Sequence, residues 1–372
     1  MSSPRLTVDL GALATNWRTL QAAAAGAGCV ESSAVVKANA YGLGVEPVAR
    51  ALASLGCRRF FVATPPEGEA LRDILPDAGT CEIHVLSGPT DAATASKMAS
   101  AGLIPSLNDP HQLALWKPYR HRAAAIHIDT GMNRLGFPLE SVDGATFKGF
   151  EIALVMSHLA CADTPDHPLN AVQRARCEHI AKMFQGIPTS FANSAAACTG
   201  NLAAASQGRD IARLGIGLYG GNPLTDQPSP VTAVATLDAP ILSIRHATAG
   251  ETIGYGATHT LTQATTLAVI AAGYADGIPR TLGGSGTVAC RGRRLPILGR
   301  ISMDTLTIDA TSIADALRPS ERAELFGRNV SLDETASHAG TIPYELLVRI
   351  GPRVERRYLR APQNGKGAKL AP

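Results

Sequence analysis

Short apolar runs alternate with longer mixed segments from about residue 30 to residue 220. Runs of this length, bounded by turn residues, are typical of buried strands. The strand candidates are Ala34–Lys37, Phe60–Ala63, Glu82–Leu86, Leu103–Leu107, Ala124–Asp129, Ile152–Ser157, Thr189–Ala192 and Ile211–Gly217. Helical patterns lie between them at Val45–Leu55, Pro66–Ile74 and Leu169–Phe184. This alternation predicts a (β/α)8 barrel, although a doubly wound open sheet would give a similar pattern.

The pattern changes near Pro230, where apolar segments begin to alternate with turns rich in glycine and proline. The segments are Ala239–Ile244, Thr266–Ala272, Thr287–Ala289 and Met303–Asp309, followed by a helical pattern at Pro343–Ile350. The sequence therefore predicts a barrel domain over residues 1–228 and a mostly-β domain over residues 229–372. Residues 1–10 contain a short predicted strand, Leu6–Leu10, and a helical pattern follows it to about Ala25. This strand could contribute to the β domain.

Composition narrows the class of protein. With 372 residues, of which 45% are hydrophobic and 17% charged, the chain can bury a large core. A net charge of +3 is too small to favour a nucleic-acid partner. No apolar run approaches the ~18 residues of a membrane span, and no histidine pair has metal-ligand spacing. The seven cysteines are dispersed without a C-x-x-C pair, which indicates reduced thiols and a cytoplasmic protein.

Lys37 ends the first predicted strand, where burial disfavours its ammonium form. Such a lysine either extends to the surface or is used in chemistry, for example in an imine with a carbonyl cofactor. Gly42 and Gly44 follow, and we expect their backbone N–H groups to turn toward an anion. Tyr41 adds a hydroxyl donor beside them. A lysine next to an anion-binding turn indicates pyridoxal 5'-phosphate, an aldehyde that carries a phosphate.

Other polar residues follow the later predicted strands, and strand ends are where barrel enzymes place their chemistry. They are Arg134 after strand five, His158 after strand six, Ser194 after strand seven, and Arg213, Gly215 and Ile216 in strand eight. Taken singly, His158 would be a core histidine, Arg134 a surface residue and Ser194 a helix cap. Arg213 requires a partner, because it lies within an apolar strand. Their occurrence on one barrel face favours a site.

Several longer motifs resemble the alanine racemase family, whose members combine a (β/α)8 barrel with a β domain. The resemblance covers nearly the whole chain. The motifs are Val36–Gly42, Asp129–Gly136, Ser157–Ala160, Asn193–Ser194, Arg213–Ile216, Gly254–Ala257, Gly273–Gly277 and Gly299–Asp304.

The resemblance implies a pyridoxal-phosphate-dependent racemase that acts on alanine in a homodimer with shared active sites. Lys37 would bind the cofactor and act as one proton-transfer base. Tyr274 of the partner subunit would be the opposite base, supported by His158 and, through it, Arg213. Arg213 would contact the ring nitrogen of the cofactor, and Arg134 and Met303 would bind the substrate. The residues that would bind the cofactor phosphate are Tyr41, Ser194, Gly215 and Ile216. Asp304, Arg300 and Tyr255 would support the site.

Two positions depart from the family pattern. His127 occupies the place of a lysine that is carbamylated in many relatives and helps to position Arg134, so we expect a histidine hydrogen bond or a bound anion instead. Pro352 replaces a tyrosine, which predicts a looser entrance. Other functions remain open from the residues alone: racemisation of serine or another small amino acid, decarboxylation or aldol chemistry on the same fold, and a non-catalytic carrier of the cofactor.

Overall fold

A computed structural model describes residues 3–75, 81–143, 145–200, 205 and 207–360. Residues 1–2 and 361–372, which the predicted domains include, lie outside the described residues. The chain separates into two compact units. The barrel unit comprises Ala14–Leu218 and Asn222–Val231. The β unit comprises the described residues up to Leu13, Tyr219–Gly221, and the described residues from Thr232 onward. The boundary at residues 228 and 229 stays a prediction.

The barrel unit contains a closed ring of eight parallel strands, β2–β6 and β8–β10. Their spatial order is β5-β4-β3-β2-β10-β9-β8-β6. Pairing between β5 and β6 completes the ring. Their bounds are β2 Cys29–Val35, β3 Arg59–Val62, β4 Glu82–Val85, β5 Ile104–Leu107, β6 Ala124–Asp129, β8 Ile152–Met156, β9 Thr189–Ser190 and β10 Asp210–Leu214. A two-residue strand, β7 (Phe137–Pro138), adds to β6. The predicted (β/α)8 barrel is confirmed, and the carboxyl ends of all its strands meet on one face.

Helices follow most of the barrel strands. Their bounds are α1 Leu10–Gly26, α2 Lys37–Tyr41, α3 Val45–Ser54, α4 Pro65–Ile74, α5 Ala92–Ser100, α6 Pro110–Trp116, α7 Pro168–Met183 and α8 Ser194–Thr199. Asp91, Asp109 and Asn193 cap helices through side-chain oxygens that accept backbone N–H groups. Among the described residues, no helix combines the length and apolar character that crossing a bilayer requires.

The first and last barrel strands differ from their predicted limits. β2 begins at Cys29 and not at Ala34, because the polar residues at its start have partners: Glu31 pairs with Arg59, and the Ser33 hydroxyl donates to the Ala212 carbonyl. It ends at Val35, so the prediction that strand one ends at Lys37 is wrong. β10 ends at Leu214 and not at Gly217, since a 3-10 turn begins at Ile216.

The β unit is built on an eight-stranded sheet, so the predicted mostly-β domain is confirmed. The strands are β1 Arg5–Asp9, β11 Ala235–Ala247, β14 Thr265–Ile270, β15 Thr287–Cys290, β16 Arg293–Leu298, β17 Leu306–Asp309, β18 Arg322–Phe326 and β19 Glu355–Leu359. A small hairpin joins β12 (Thr252–Ile253) to β13 (His259–Thr260), and two helices follow, α9 Leu332–Ala339 and α10 Pro343–Val348. β1 lies between β11 and β19, antiparallel to the first and parallel to the second.

Candidate active site

Lys37 opens a turn whose backbone has the hand opposite to an ordinary helix. In α2, Ala38, Asn39, Ala40 and Tyr41 all have φ between 52° and 56°. Left-handed backbone costs an L-residue roughly 1–2 kcal/mol, so four in succession require strong support from their surroundings. Strain of this kind is concentrated at functional sites, and here it immediately follows the lysine singled out by the sequence.

The glycines of this turn have a different role from the one predicted. The Gly42 N–H donates to the Ala38 carbonyl at 2.8 Å, and the Gly44 N–H donates to the Asn39 carbonyl at 2.9 Å. Both amides therefore close the left-handed turn internally. The expectation that they face an anion is wrong, because the turn itself uses their hydrogen bonds.

Arg213 is buried within β10 and is surrounded by acceptors from the two preceding strand ends. One terminal nitrogen donates to the Ser190 carbonyl and hydroxyl, and the other donates to the Ser157 carbonyl at 2.6 Å. The second nitrogen also lies 3.2 Å from His158 Nδ1. Only Nε of this guanidinium lacks an acceptor among the described residues.

The bond from Arg213 also fixes the protonation pattern of His158. Arginine can only donate, so His158 Nδ1 accepts. A neutral imidazole then carries its hydrogen on Nε2, which is left available as a donor. His158 thus presents an N–H group, oriented by a cation that cannot leave its place in the strand.

Two hydroxyl groups meet at Gly215. A Cβ at this glycine would lie 2.7 Å from the Tyr41 hydroxyl oxygen, so any side chain there would displace the phenol. The Gly215 N–H donates to Ser194 Oγ at 2.8 Å, which leaves the Ser194 hydroxyl hydrogen free to donate elsewhere. Tyr41 and Ser194 therefore bring two hydroxyl groups to the same glycine, at the carboxyl end of β10.

Arg134 lies on the loop after β6, and the Asp129 carboxylate shapes that loop. Its oxygens accept the N–H groups of Gly131, Met132 and Asn133 at 2.8 to 2.9 Å. The exposed Arg134 guanidinium makes no hydrogen bond or ion pair to any described residue. It is thus a free cation on a well-ordered loop, available to a carboxylate.

His127 is tied to a residue that the sequence did not single out. Its Nδ1 lies 2.8 Å from Asn108 Oδ1, while Asn108 Nδ2 donates to the Leu86 and Ser106 carbonyls. The amide oxygen is therefore the acceptor, and His127 Nδ1 carries the hydrogen. The expected hydrogen bond from His127 to Arg134 is not formed, because the imidazole bonds Asn108 instead.

In the β unit, Tyr274 and Met303 lie on two loops that hydrogen-bond to each other. The Tyr274 N–H donates to the Ser302 carbonyl at 3.1 Å, and the Ala275 N–H donates to the Met303 carbonyl at 3.0 Å. Both side chains are exposed, Tyr274 by 44% and Met303 by 53%. The Tyr274 hydroxyl has no hydrogen bond to a described residue, so it is presented outward from a rigid support.

Arg353 links the same two loops through ion pairs. Its guanidinium donates to the buried Asp276 carboxylate at 2.6 and 3.1 Å and pairs with Asp304 at 2.7 Å. Asp276 in turn accepts the Gly273 N–H at 2.9 Å. Asp304, predicted as a supporting residue, forms this ion pair with Arg353. Asp276 and Arg353 were given no part in the predicted site.

The two remaining predicted supports lie together in the β unit. Tyr255 is 71% exposed on a short 3-10 turn. A Cβ at the next residue, Gly256, would lie 2.7 Å from an Arg300 guanidinium nitrogen. Arg300 therefore packs over the turn that carries Tyr255.

We expect Gly273→Ala to disturb the loops of Tyr274 and Met303 without any conformational strain at residue 273 itself. A Cβ there would overlap the carbonyl oxygens of Ser302 and Met303, and backbone atoms cannot move aside as a flexible side chain could. Overpacking of this kind costs about 1–3 kcal/mol. Urea unfolding should show that loss, whereas Gly26→Ala, with nothing within 4 Å of its Cβ, should change stability by less than ~1 kcal/mol. Equal stability of the two variants would contradict this packing.

Two protein-family models match the sequence and together span most of the chain. The description "Alanine racemase, N-terminal domain" matches residues 8–223, and "Alanine racemase, C-terminal domain" matches residues 234–358. The chain belongs to the alanine racemase family.

Individual members of the alanine racemase family are similar over nearly their full length. The alanine racemase of Rhodospirillum rubrum is 44% identical over 95% of both chains. The biosynthetic alanine racemase of Agrobacterium fabrum is 41% identical over 96% of this chain and 94% of its own. The structure of the alanine racemase from Bartonella henselae, which has covalently bound pyridoxal phosphate, is 35% identical with a TM-score of 0.88, covering 96% of this chain and 100% of that one.

The barrel residues fit the cofactor of the alanine racemase family that the sequence predicted, pyridoxal 5'-phosphate. Its aldehyde requires an amine, and Lys37 makes no hydrogen bond or ion pair to a described residue. Its phosphate requires donors, and the hydroxyls of Tyr41 and Ser194 meet at Gly215. Its ring nitrogen accepts a hydrogen bond, and Arg213 keeps Nε unused. Among the described residues, no group of His, Cys, Asp and Glu is arranged to hold a metal ion.

The charges around Lys37 favour its neutral amine. Burial lowers the pKa of Lys37, the cations Arg134 and Arg213 lower it further, and Glu67 raises it. Burial, followed by Arg213, Arg134 and Lys37, holds the pKa of His158 well below its ordinary value. Burial also lowers the pKa of Arg213 to about 10, which leaves the guanidinium protonated at neutral pH. The site therefore places a lysine of lowered pKa among the cations Arg134 and Arg213.

We expect the stability of the cofactor-free protein to fall as the pH is lowered from 7 to 5. Burial depresses the pKa of His84, His127 and His158, to about 4 for His127. Below pH ~6.5 the unfolded chain therefore binds more protons than the folded one, and the stabilisation present above that pH is lost. Each histidine contributes up to ~1.4 kcal/mol per pH unit.

Urea unfolding at pH 5, 6 and 7 would measure this slope, and His127→Asn should reduce it by about one histidine's share. Carboxylates with depressed pKa, such as Glu82 at about 2, act in the same direction but at lower pH. A free energy of unfolding that is constant between pH 5 and 7 would show that the three histidines are not buried as neutral groups.

Proposed function

We propose that the chain interconverts L-alanine and D-alanine with two proton-transfer groups, Lys37 and Tyr274 of the partner subunit, which act on opposite faces of the substrate α-carbon. The observation that carries this proposal is the pair Lys37 and Arg213. Within the described residues the Lys37 amine has no hydrogen bond or ion pair, and Arg213 keeps one donor, Nε, that matches a ring nitrogen. Family membership supports alanine as the substrate.

Pyridoxal phosphate, when bound, withdraws electrons from the substrate α-carbon and makes its proton removable. Tyr41, Ser194, Gly215 and Ile216 would hold its phosphate. Because Arg213 stays protonated and can only donate, it would keep the ring nitrogen unprotonated. The ring then withdraws fewer electrons, which favours reversible proton exchange over decarboxylation.

Lys37 and Tyr274 would move the proton. Burial and the neighbouring cations lower the pKa of Lys37, which favours the neutral amine that a base requires. A phenol with an ordinary pKa near ~10 is a weak base at that pH. His158 would donate its Nε2 hydrogen to the phenol oxygen and so stabilise the phenolate. The exposed Tyr274 has no competing hydrogen bond within the described residues.

Arg134 and the Met303 backbone would orient the substrate carboxylate. The free guanidinium of Arg134 suits a bidentate contact with a carboxylate. Tyr274 and Met303 would reach this site from a second copy of the chain, so the homodimer is part of the proposal. We also propose a cytoplasmic location, since all seven cysteines are free thiols.

Exchange of the α-proton of L-alanine in D2O tests the function. Purified protein with added pyridoxal phosphate should incorporate deuterium and form D-alanine, as chiral chromatography with mass spectrometry would detect. Exchange with retained configuration would instead point to other carbanion chemistry. Parallel assays with L-serine would measure the breadth of substrate preference.

A further inference from the structure

Glu67 contacts the left-handed turn from helix α4 of the barrel unit. It lies in the first turn of α4, and its Oε1 accepts the N–H of Ala38 at 2.8 Å. Ala38 directly follows Lys37 and is the first left-handed residue of the turn. The other oxygen, Oε2, accepts the N–H groups of Ala63 and Thr64 at 2.7 and 3.3 Å.

Helix capping explains the position of one carboxylate oxygen of Glu67, Oε2, but not that of the other, Oε1. A glutamate three residues after the N-cap commonly accepts the N-cap amide, and Oε2 does so at Thr64. Oε1 has no part in that cap. It reaches across to the loop after β2, which is adjacent because β2 and β3 pair in parallel through Val35 and Phe61.

The backbone on both sides of Lys37 is thus held from the β3–α4 segment. On one side, the Val36 N–H donates to the Phe61 carbonyl at 2.8 Å. On the other side, the Ala38 N–H donates to Glu67. Lys37 lies between two fixed amides, and its Cα is therefore restrained in both position and direction.

Charge gives Glu67 a second effect on the lysine. Arg134 and Arg213 place positive charge near Lys37 and lower its pKa. Glu67 is the carboxylate whose charge opposes theirs. Its carboxylate is part of the turn's own hydrogen bonding, so the charge stays in a fixed place.

We propose that Glu67 is a positioning residue for Lys37: its carboxylate holds the left-handed turn that follows the lysine and places a negative charge beside the amine. The inference rests on the proposed function only in taking Lys37 as the reactive lysine.

Glu67→Gln tests both effects, because glutamine keeps the size of the side chain but loses its charge and one acceptor. In the cofactor-free protein, acylation of Lys37 by a trace of acetic anhydride would be followed by peptide mass spectrometry from pH 6 to 11. We expect the midpoint of Lys37 acylation to shift to lower pH, since the remaining neighbours are cations. Hydrogen exchange of the Ala38 amide should accelerate by at least about tenfold, because its acceptor is weakened.

The loaded enzyme gives an independent measurement. We expect kcat of Glu67→Gln to fall by about 10- to 100-fold with a smaller change in KM. A misplaced Lys37 would slow proton transfer, whereas the residues that bind the substrate carboxylate are unchanged. Glu67→Asp, which keeps the charge, should restore part of the acylation midpoint. Glu69→Gln is the matched control: it removes a carboxylate from the same helix, and Glu69 has no hydrogen bond or ion pair to a described residue.

An unchanged acylation midpoint together with unchanged Ala38 exchange in Glu67→Gln would overturn the proposal, as would equal changes in Glu69→Gln. Should Glu67→Gln unfold, Glu67→Asp must decide by the same two measurements. Failure of the proposed function is distinguishable, because it would abolish alanine exchange in the unmodified protein while the Lys37 and Ala38 measurements in the variants stay as expected.

Discussion

Lys37→Ala should lose covalent pyridoxal phosphate and more than about 10⁴-fold of its racemase activity. Removing the amine eliminates both the group that would bind the aldehyde and one of the two proton-transfer groups. General acid–base catalysis alone contributes about 10²–10⁴-fold, and loss of the covalent link adds to it. Borohydride trapping followed by peptide mass spectrometry, together with chiral rate assays in both directions, would measure the two losses.

Lys97→Ala provides the control for Lys37→Ala, because Lys97 is an exposed lysine on α5 of the same unit. It should retain cofactor and activity. Added methylamine should restore part of the lost activity to Lys37→Ala by substituting for the missing amine. Trapping of the cofactor on a different lysine of the unmodified chain would refute the assignment.

Tyr274→Phe should slow α-proton exchange from one enantiomer of alanine by about 10²–10⁴-fold and leave exchange from the other largely intact. The change removes a single hydroxyl from one face of the proposed site, while Lys37 on the other face is untouched. The thermal midpoint should stay constant, since the side chain is 44% exposed and its hydroxyl bonds no described residue. Deuterium incorporation into each enantiomer, measured separately, checks the asymmetry.

Tyr344→Phe is the control for Tyr274→Phe, as it removes the hydroxyl of another partly exposed tyrosine in the β unit. Exchange of both enantiomers should be unaffected there. An equal loss for both enantiomers in Tyr274→Phe would sink the assignment of two bases to two faces. It would indicate a role for the phenol in binding or in the shape of the site.

The barrel could be predicted from the sequence because each strand carries its own apolar run and polar residues follow its end. Arg213 illustrates why the site was visible: a permanent cation inside a buried strand demands acceptors, and Ser157, Ser190 and His158 supply them. β18 was missed because Arg322 and Glu324 interrupt its apolar residues, and both are paired in the folded unit.

The left-handed turn could not be read from the residues. Alanine, asparagine and tyrosine prefer right-handed or extended backbone, so nothing local distinguishes Ala38–Tyr41 from an ordinary turn. Its conformation depends on contacts from elsewhere in the chain, including Glu67. Glycine at positions 42 and 44 indicated a tight turn, but which groups their amides would bind was decided by the fold.

The position of β1 has a consequence for how the chain reaches its final state during synthesis. Arg5 pairs with Asp238 on one side and with Glu355 on the other, so this strand's two neighbours emerge from the ribosome long after it does. At a synthesis rate of about 5–20 residues per second, β1 waits roughly 10–45 s for β11 with both of its edges unpaired, and longer for β19. The barrel strands have all their pairing partners by Leu214 and can assemble meanwhile.

A nascent chain halted shortly before residue 355 would therefore hold a complete barrel and a β sheet whose edge strand is β1 and not β19. Exposed sheet edges recruit other strands, which makes such fragments candidates for aggregation and for chaperone capture. β1 thus remains the outer strand of the sheet until β19 pairs with it and takes that position.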